Sequence, residues 1–249
     1  MPIPRHGRKK AANSDAISSD NTTPGDDDDS GDPPSSPTGA TGSSSATPSD
    51  ASFAAAPSID VASILSAVNA ATSNPVSGAV FGTGKGDDVQ IYQLDTDVYA
   101  FTADMDVDCD GVDYQCKGNP DGQSETSYGA LAATQVPFYV IPQSFVDKQK
   151  IKGNSLGAII CNNKMFYAIM GDTNGDSPEV IGEASLLLAQ TCFPDEGLNG
   201  ATGHDAKDVT YIVFGSLVPD GIDESSPTID INALKTLGDS TLSTFKLTS

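Results

Sequence analysis

The stretch Tyr167-Ala168-Ile169-Met170-Gly171-Asp172-Thr173-Asn174-Gly175-Asp176 carries an aspartate from an apolar, strand-like segment onto a turn of glycine, asparagine and aspartate. Eleven residues after Asp172, the segment Ile181-Gly182-Glu183-Ala184-Ser185 places a glutamate between two small residues. Two carboxyl groups at the edges of a short loop suit acid–base hydrolysis of a glycosidic bond, in which one protonates the leaving oxygen and the other activates water. Acidic turns are common, so the pattern alone is a weak indication.

The same stretch has a second interpretation as a calcium loop. Asp172, Asn174, Asp176 and Glu183 occupy positions one, three, five and twelve of an EF-hand template. However, position six is Ser177, where the template needs glycine for a sharp turn, and the segment upstream is strand-like rather than helical. Calcium is therefore the alternative at this stretch.

Another group of carboxylates comes earlier in the chain, at Asp104, Asp106, Asp108 and Asp110. Side chains at alternate positions of an extended segment fall on one face, so these four predict an acidic wall that faces a substrate. A calcium loop and a solvated surface turn are the alternatives. The calcium template requires a glutamate at its twelfth position, which is Lys117 in this chain.

Short apolar runs bounded by Gly, Pro, Asn or Asp predict a β-rich fold. The predicted strands cover residues 89–94, 98–101, 138–141, 156–160, 165–170 and 209–214. The fourth and fifth are predicted to form a hairpin, and residues 183–191 fit a helix at least as well as a strand. Helical spacing predicts a short helix at residues 59–68, with Ser58 as N-cap, and a partly helical C-terminus broken at Gly238. These elements indicate a compact α+β domain built on a β-barrel or sandwich.

The composition divides the chain at about residue 57. Residues 1–57 consist mainly of Ser, Thr, Pro, Gly, Ala and Asp, with almost no large apolar side chain. Such a segment cannot bury enough apolar surface to offset the entropy lost on ordering, so we predict a disordered tail or linker. Residues 58–249 are predicted to form one folded domain.

The chain is strongly acidic, with a net charge of −21. Residues 1–57 contain four Lys or Arg and eight Asp, which leaves −17 on the predicted domain, and that domain has no arginine. Nucleic acids and anionic membranes are normally bound by Arg and Lys, so both are excluded as expected partners. An acidic surface instead attracts cationic partners, although a role of the charge in solubility is the alternative.

The four cysteines, Cys109, Cys116, Cys161 and Cys192, predict two disulfides and an oxidising compartment. No C-x-x-C pair is present, which argues against a zinc site. The short separation of the first two favours a Cys109–Cys116 bridge, which leaves Cys161–Cys192, one of three possible pairings. The first ten residues are basic but are not followed by an apolar segment, so the expectation of secretion rests on the cysteines, the tail and the resemblance described next.

Five blocks resemble, in the same order, the fungal-type chitosanases of glycoside hydrolase family seventy-five. They are DMDVDCDG at 104–111, YVIP at 139–142, GDTNGD at 171–176, IGEAS at 181–185 and GHDAKDVTYIVFG at 203–215. The resemblance implies a secreted endo-enzyme that hydrolyses the β-1,4 bonds of chitosan with inversion at the anomeric carbon, on a barrel of the double-psi kind. It also implies that the essential carboxylates match Asp172 and Glu183. We expect a monomer that needs no cofactor and no metal.

The charge of the chain suits this substrate, because glucosamine amines are protonated in mildly acidic water and make chitosan a polycation. We predict that Asp104, Asp106, Asp108 and Asp110, together with Asn174 and Asp176, bind it. Asp172 lies on a turn whose backbone N–H groups can hold a negative charge, so it is predicted to be the base. Glu183 has apolar neighbours whose burial would raise its pKa, which predicts the acid. A helix beginning at Glu183 would favour the opposite order.

Overall fold

The computed structural model describes residues 51–119 and 122–245. These residues form eight strands and four α-helices around one hydrophobic core. The strands are β1 (Pro75–Gly82), β2 (Asp88–Asp95), β3 (Val98–Asp108), β4 (Phe138–Pro142), β5 (Leu156–Cys161), β6 (Lys164–Asn174), β7 (Glu183–Ser185) and β8 (His204–Phe214). The helices are α1 (Val61–Ala70), α2 (Gln143–Gln149), α3 (Leu186–Cys192) and α4 (Ile231–Thr244). Within these ranges no helix is both long and apolar enough to span a membrane.

Six of the strands close into a barrel in the order β3-β7-β4-β6-β5-β8, because β8 also pairs with β3. The barrel is mixed, since β3–β7 and β4–β6 are parallel while the remaining pairs are antiparallel. β1 and β2 extend the sheet from β3. This arrangement confirms the predicted β-barrel-like α+β domain with a few short helices, and closure leaves the six strands without an unpaired edge.

The predicted hairpin is formed by β5 and the first part of β6, which pair from Cys161–Lys164 to Leu156–Ile169. Its turn residues Asn162 and Asn163 both have positive φ angles, of 48° and 58°. Two-residue hairpin loops favour this left-handed conformation, and asparagine tolerates it better than most residues. The turn therefore sets the register that brings the end of β6 to the rim of the barrel.

Several boundaries differ from the sequence prediction. α1 is capped by Asp60, whose carboxylate accepts a hydrogen bond from Ser63 N, rather than by Ser58. The ambiguous segment 183–191 contains both the short strand β7 and most of α3. α4 continues through Gly238, because this glycine lies against the ring of Tyr167 and a Cβ there would approach the ring to 2.5 Å.

The last seven residues of the predicted tail belong to the folded domain. Phe53 is 4% exposed and contacts the ring of Phe166 with centroids 5.8 Å apart. The backbone continues this contact, since Tyr167 N donates to Phe53 O and Ala55 N donates to Met165 O. The isolated Phe in a run of small residues gave little indication of this packing. Residues 1–50 of the predicted tail lie outside the described residues.

The structure contains both predicted disulfides, Cys109–Cys116 and Cys161–Cys192. The first holds the loop after β3 close to that strand. The second joins the end of β5 to the end of α3. No free cysteine occurs in the part of the chain that the structure describes.

Candidate active site

Asp172 and Glu183, the two predicted catalytic carboxylates, lie on the same face of the barrel sheet. Asp172 near the end of β6 and Glu183 at the start of β7 are both backbone partners of Val140, on opposite sides of β4. Directly paired residues point their side chains to the same face, and neighbouring strands lie about 4.8 Å apart. The Cα atoms are therefore separated by roughly two strand spacings, or about 10 Å.

Asp172 is 1% exposed, and its Oδ1 is held by three hydrogen-bond donors. Its Oδ1 accepts hydrogen bonds from Ser127 N at 2.9 Å, Ser127 Oγ at 2.6 Å and Thr173 N at 2.6 Å. Three donors on one carboxylate oxygen suit a negatively charged group, because hydrogen bonds to an ionised acceptor are stronger than those to a neutral one. This arrangement directs Oδ1 into the protein.

A chain of side chains extends from Asp172 to the surface. Ser127 Oγ lies 2.6 Å from Thr173 Oγ1, which donates to Gln143 Oε1 at 2.7 Å. Gln143 Nε2 donates to Asp147 Oδ1 at 2.9 Å, which fixes the orientation of the amide. Ser127, Thr173 and Gln143 thus brace Asp172, and the sequence analysis did not predict this role for any of them.

Glu183 is 6% exposed and is held by Asn174. Asn174 Nδ2 donates to Glu183 Oε2 at 3.0 Å, and Asn174 itself is 7% exposed. On the other side of β7, Glu183 is the backbone partner of Asp106 on β3, so their side chains share a face. Glu183 is therefore enclosed between an amide donor and a second carboxylate.

The calcium-loop interpretation of this stretch does not agree with the contacts of Asn174. Its Oδ1, which would ligate the ion at position three of the template, instead accepts Asp176 N and Val180 N. The loop is also flanked by β6 and β7, whereas the EF-hand template needs helices. Of the predicted binding residues in this loop, Asp176 is partly exposed and Asn174 is buried.

The residues of the predicted acidic wall lie on β3 and the loop after it, and most of them are buried. Asp104 is 1% exposed, while Asp108 and Asp110 are each 3% exposed. Asp106 is the one member of the four that is not buried. Burial, and then the neighbouring charge of Asp106, raises the pKa of Asp104 to about 7, while a hydrogen bond with Thr83 and the charge of Lys85 act in the opposite direction. The wall is thus less charged in mild acid than its sequence suggests.

Within the described ranges, one cluster of carboxylates could hold a metal ion. It consists of Asp108, Asp110 and Asp172. Each offers an oxygen, and the three oxygens lie within 4.8 Å of one another. Burial raises the pKa of Asp108 well above its ordinary value, and the charges of Asp172, Asp110 and Glu183 raise it further. Backbone N–H groups also donate to two of these carboxylates. Asp108 Oδ1 accepts a hydrogen bond from Asp110 N, and Asp110 Oδ1 accepts one from Gln123 N.

His204, the first residue of β8, is held by an aromatic ring and two carboxylates. Its ring stacks on Phe193, and its two nitrogens contact the carboxylates of Glu196 and Asp208 at 2.9 Å. Burial alone lowers the pKa of His204, but the hydrogen bonds and charges of these two carboxylates outweigh it, and the net pKa is raised. The preceding residue, Gly203, lies so close to Asp106 that a Cβ would approach its Oδ1 to 2.3 Å. The loop before β8 is therefore fitted against Asp106.

Comparison with known proteins gives one consistent family. A family model described as fungal chitosanase of glycosyl hydrolase group 75 matches residues 105–243. The chain is 49% identical over 199 residues to endo-chitosanase C of Aspergillus oryzae, covering 76% of this chain and 52% of that protein. It is 39% identical over 128 residues to endo-chitosanase B of Aspergillus oryzae, covering 44% of this chain and 52% of that protein. It is 37% identical over 130 residues to an endo-chitosanase of Aspergillus fumigatus, covering 45% and 54%. The chain thus spans about half the length of the curated relatives it matches.

Proposed function

The chain belongs to the fungal chitosanases of glycosyl hydrolase group 75, and on that basis we propose that it is an endo-chitosanase that hydrolyses the β-1,4 bonds of chitosan. The observation that carries the proposal is the placement of Asp172 and Glu183 on either side of Val140, with both side chains on one face. Two carboxyl groups arranged in this way can act on opposite sides of a sugar ring.

Asp172 is the base. The three donors on its Oδ1 orient the carboxylate, so that it can take a proton from a water molecule. That water attacks the anomeric carbon as the bond from this carbon to the leaving oxygen breaks, and the configuration inverts. Ser127 and Thr173 orient the base through their hydrogen bonds to its Oδ1.

Glu183 is the acid that gives its proton to the leaving oxygen. It is 6% exposed, and burial disfavours the charged form of a carboxyl group. The neighbouring Asp106 and Asp108 disfavour a further negative charge at the same place. Glu183 begins the strand β7 rather than a helix, so the helix-end argument for an ionised Glu183 does not apply.

The substrate is a polycation, and the acidic face is suited to attract it. Asp106 and Asp176 are the predicted binding residues that are partly exposed, so they are placed to contact protonated amines. Asp104, Asp108 and Asp110 are buried, and the raised pKa values of Asp104 and Asp108 reduce their negative charge in mild acid, so the exposed carboxylates supply most of the attraction. Each exposed pair contributes only about 1 kcal/mol, so affinity requires several along the polymer.

The remaining features follow the same proposal. The enzyme is secreted, in keeping with its two disulfides, and it acts as a monomer without a cofactor. The catalytic domain starts at about residue 51, where the packed segment containing Phe53 begins, and it follows the predicted disordered tail. Neither nucleic acid nor membrane is a partner, because the domain lacks arginine.

The test is the release of reducing ends from chitosan by Asp172→Asn and Glu183→Gln. Each variant should lose about 100-fold to 10,000-fold in kcat while retaining the fold and chitosan binding, because only the proton transfer is removed. Asp220→Asn, a change on the surface after β8, is the matched control and should keep full activity. Near-normal turnover by either catalytic variant would overturn the assignment.

Two further measurements separate the alternatives. KM for chitosan should rise with ionic strength, because salt screens exposed charges over about 10 Å at 0.1 M, and activity should fall as acetylation removes amine charge. Treatment with a calcium chelator should change neither activity nor Tm. Loss of activity together with a lower Tm after chelation would support a calcium-stabilised module. Binding of chitosan without cleavage would support a non-catalytic binding protein.

A further inference from the structure

Asn174 joins the two ends of the loop that separates the candidate base from the candidate acid. It is the last residue of β6, and its Oδ1 accepts Asp176 N at 3.2 Å and Val180 N at 3.0 Å. Its Nδ2 donates to Glu183 Oε2 at 3.0 Å. With the side chain 7% exposed, these contacts engage both ends of the amide inside the protein.

The two backbone donors settle which way the amide faces. An amide oxygen accepts and an amide nitrogen donates, so the end that meets Asp176 N and Val180 N must be the oxygen. The amide nitrogen then has to face Glu183. The opposite orientation would place the amide NH₂ against the backbone N–H groups of Asp176 and Val180. The loop therefore presents a donor to Glu183 and cannot present an acceptor by a simple rotation of the amide.

We infer that Asn174 is a positioning residue that holds Glu183 through Oε2 and thereby fixes Oε1 as the oxygen that carries and delivers the proton. This inference rests on the proposed role of Glu183 as the acid. An N–H directed at Oε2 competes with a proton on that oxygen, so the neutral acid carries its proton on Oε1. From the sequence alone, Asn174 is predicted to bind substrate.

The same contact favours the transition state over the ground state. As Glu183 gives up its proton it becomes negative, and a hydrogen bond to an ionised acceptor is roughly twice as strong as one to a neutral acceptor. Stabilisation that grows during the reaction raises kcat, whereas equal binding of both states affects only KM. A positioning role therefore predicts an effect on kcat, and a substrate contact predicts an effect on KM.

Asn174→Asp is the discriminating variant. It keeps an oxygen for Asp176 N and Val180 N, so the loop is retained, but it replaces the donor to Glu183 with a carboxylate. We expect kcat to fall about 10-fold to 100-fold, in line with loss of a hydrogen bond to a charged group, with KM within about twofold. The alkaline limb of the kcat–pH profile should move to higher pH, because a neighbouring negative charge holds the proton on Glu183 more tightly.

A second variant and a matched control complete the experiment. Asn174→Ser is too short to reach Glu183 but can still accept a backbone N–H, and it should also lower kcat. Asn199→Asp makes the same change in a surface turn, where Oδ1 accepts Ala201 N at 3.0 Å, and it should behave as the parent enzyme. Tm measured for all three reports any loss of fold.

The outcomes distinguish the roles. A higher KM with unchanged kcat and unchanged pH profile would make Asn174 a substrate contact, and a lower Tm with an unchanged profile would make it only a loop brace. Parent-like kinetics for both Asn174 variants would also overturn the inference. Glu183→Gln separates this failure from that of the proposed function, because an active Glu183→Gln enzyme would overturn the acid assignment itself.

Discussion

Asp172 and Glu183 are separated by one residue of an intervening strand, Val140, to which both are paired. This register places the carboxylates two strands apart on one face. A shift of one residue in either ladder would turn one carboxylate to the opposite face, because strand side chains alternate. The β4–β6 ladder contains a register shift between Tyr139 and Val140. Because of this shift, Val140 is paired with Asp172 rather than with Gly171.

The first prediction is the stereochemical outcome. Retaining glycosidases hold their carboxyl groups about 5–5.5 Å apart, whereas inverting enzymes hold them about 6.5–9.5 Å apart to admit a water molecule. Asp172 and Glu183 stand two strands apart, and the proposed mechanism places a water molecule between base and sugar, so the first product of β-linked chitosan should be the α-anomer. Proton NMR of the reaction within its first minutes would show this. Initial release of the β-anomer would mean that one carboxylate attacks the sugar directly.

The second prediction concerns Ser127, which reaches Asp172 from 45 residues earlier in the chain. Ser127→Ala removes the Oγ donor but keeps the backbone N–H to Oδ1. We expect kcat to fall about 10-fold or more, since a hydrogen bond to a charged group contributes about 1.5–3 kcal/mol, with little change in KM. Ser225→Ala removes a similar hydroxyl bond to Asp223 in an exposed turn and is the control. If both variants keep kcat within twofold of the parent, the hydroxyl of Ser127 has no part in holding the base.

The sequence could indicate Asp172 and Glu183 because both stand at the ends of recognisable local patterns. An apolar run followed by a polar turn predicts a strand end, and the hairpin before it follows from its bounding residues. Ser127 gives no such signal, because it lies in a polar loop and only the closed barrel brings it to Asp172. Long-range contacts of this kind leave no periodicity in the chain.

Burial of the acidic wall was equally hidden. Alternation along β3 predicts one face for Asp104, Asp106 and Asp108, but it could not show that Asp104 and Asp108 are buried in the folded domain. Gly182 lies against Asp104, where a Cβ would approach Oδ1 to 2.3 Å. A run of aspartates looks solvated in sequence, and tertiary packing decides otherwise.

The third prediction tests where the domain begins. Deleting residues 1–50 should leave Tm and activity unchanged, because this segment has almost no apolar side chain with which to pack. Deleting residues 1–57 should lower Tm, since Phe53 is buried and Lys235 Nζ donates to Ala54 O. Phe53→Ala in the full chain should cost on the order of 3 kcal/mol by the usual range for buried Phe. Equal Tm for the two deletions would show that residues 51–57 do not stabilise the domain.

The last prediction follows from the buried carboxyl of Asp104. Burial and the charge of Asp106 raise its pKa from 3.8 to about 7, with Lys85 opposing them. A carboxyl with a raised pKa binds its proton more tightly in the folded state than in the unfolded state. Its contribution to stability is therefore full below about pH 4 and is lost progressively as the pH rises towards 7.

Asp104→Asn should remove this dependence, because the amide is neutral at every pH and has nearly the same shape. We expect the variant to match the parent in Tm near pH 4 and to exceed it at pH 8. The difference should be at most about 4 kcal/mol, since a tenfold change in proton affinity is worth about 1.4 kcal/mol. Asp88→Asn on the exposed start of β2 should leave the Tm–pH profile of the parent unchanged. Thermal unfolding of the three proteins from pH 4 to pH 8 makes the comparison. An Asp104→Asn protein that is less stable than the parent at pH 8 would show that the carboxylate is charged there and paired with a cation.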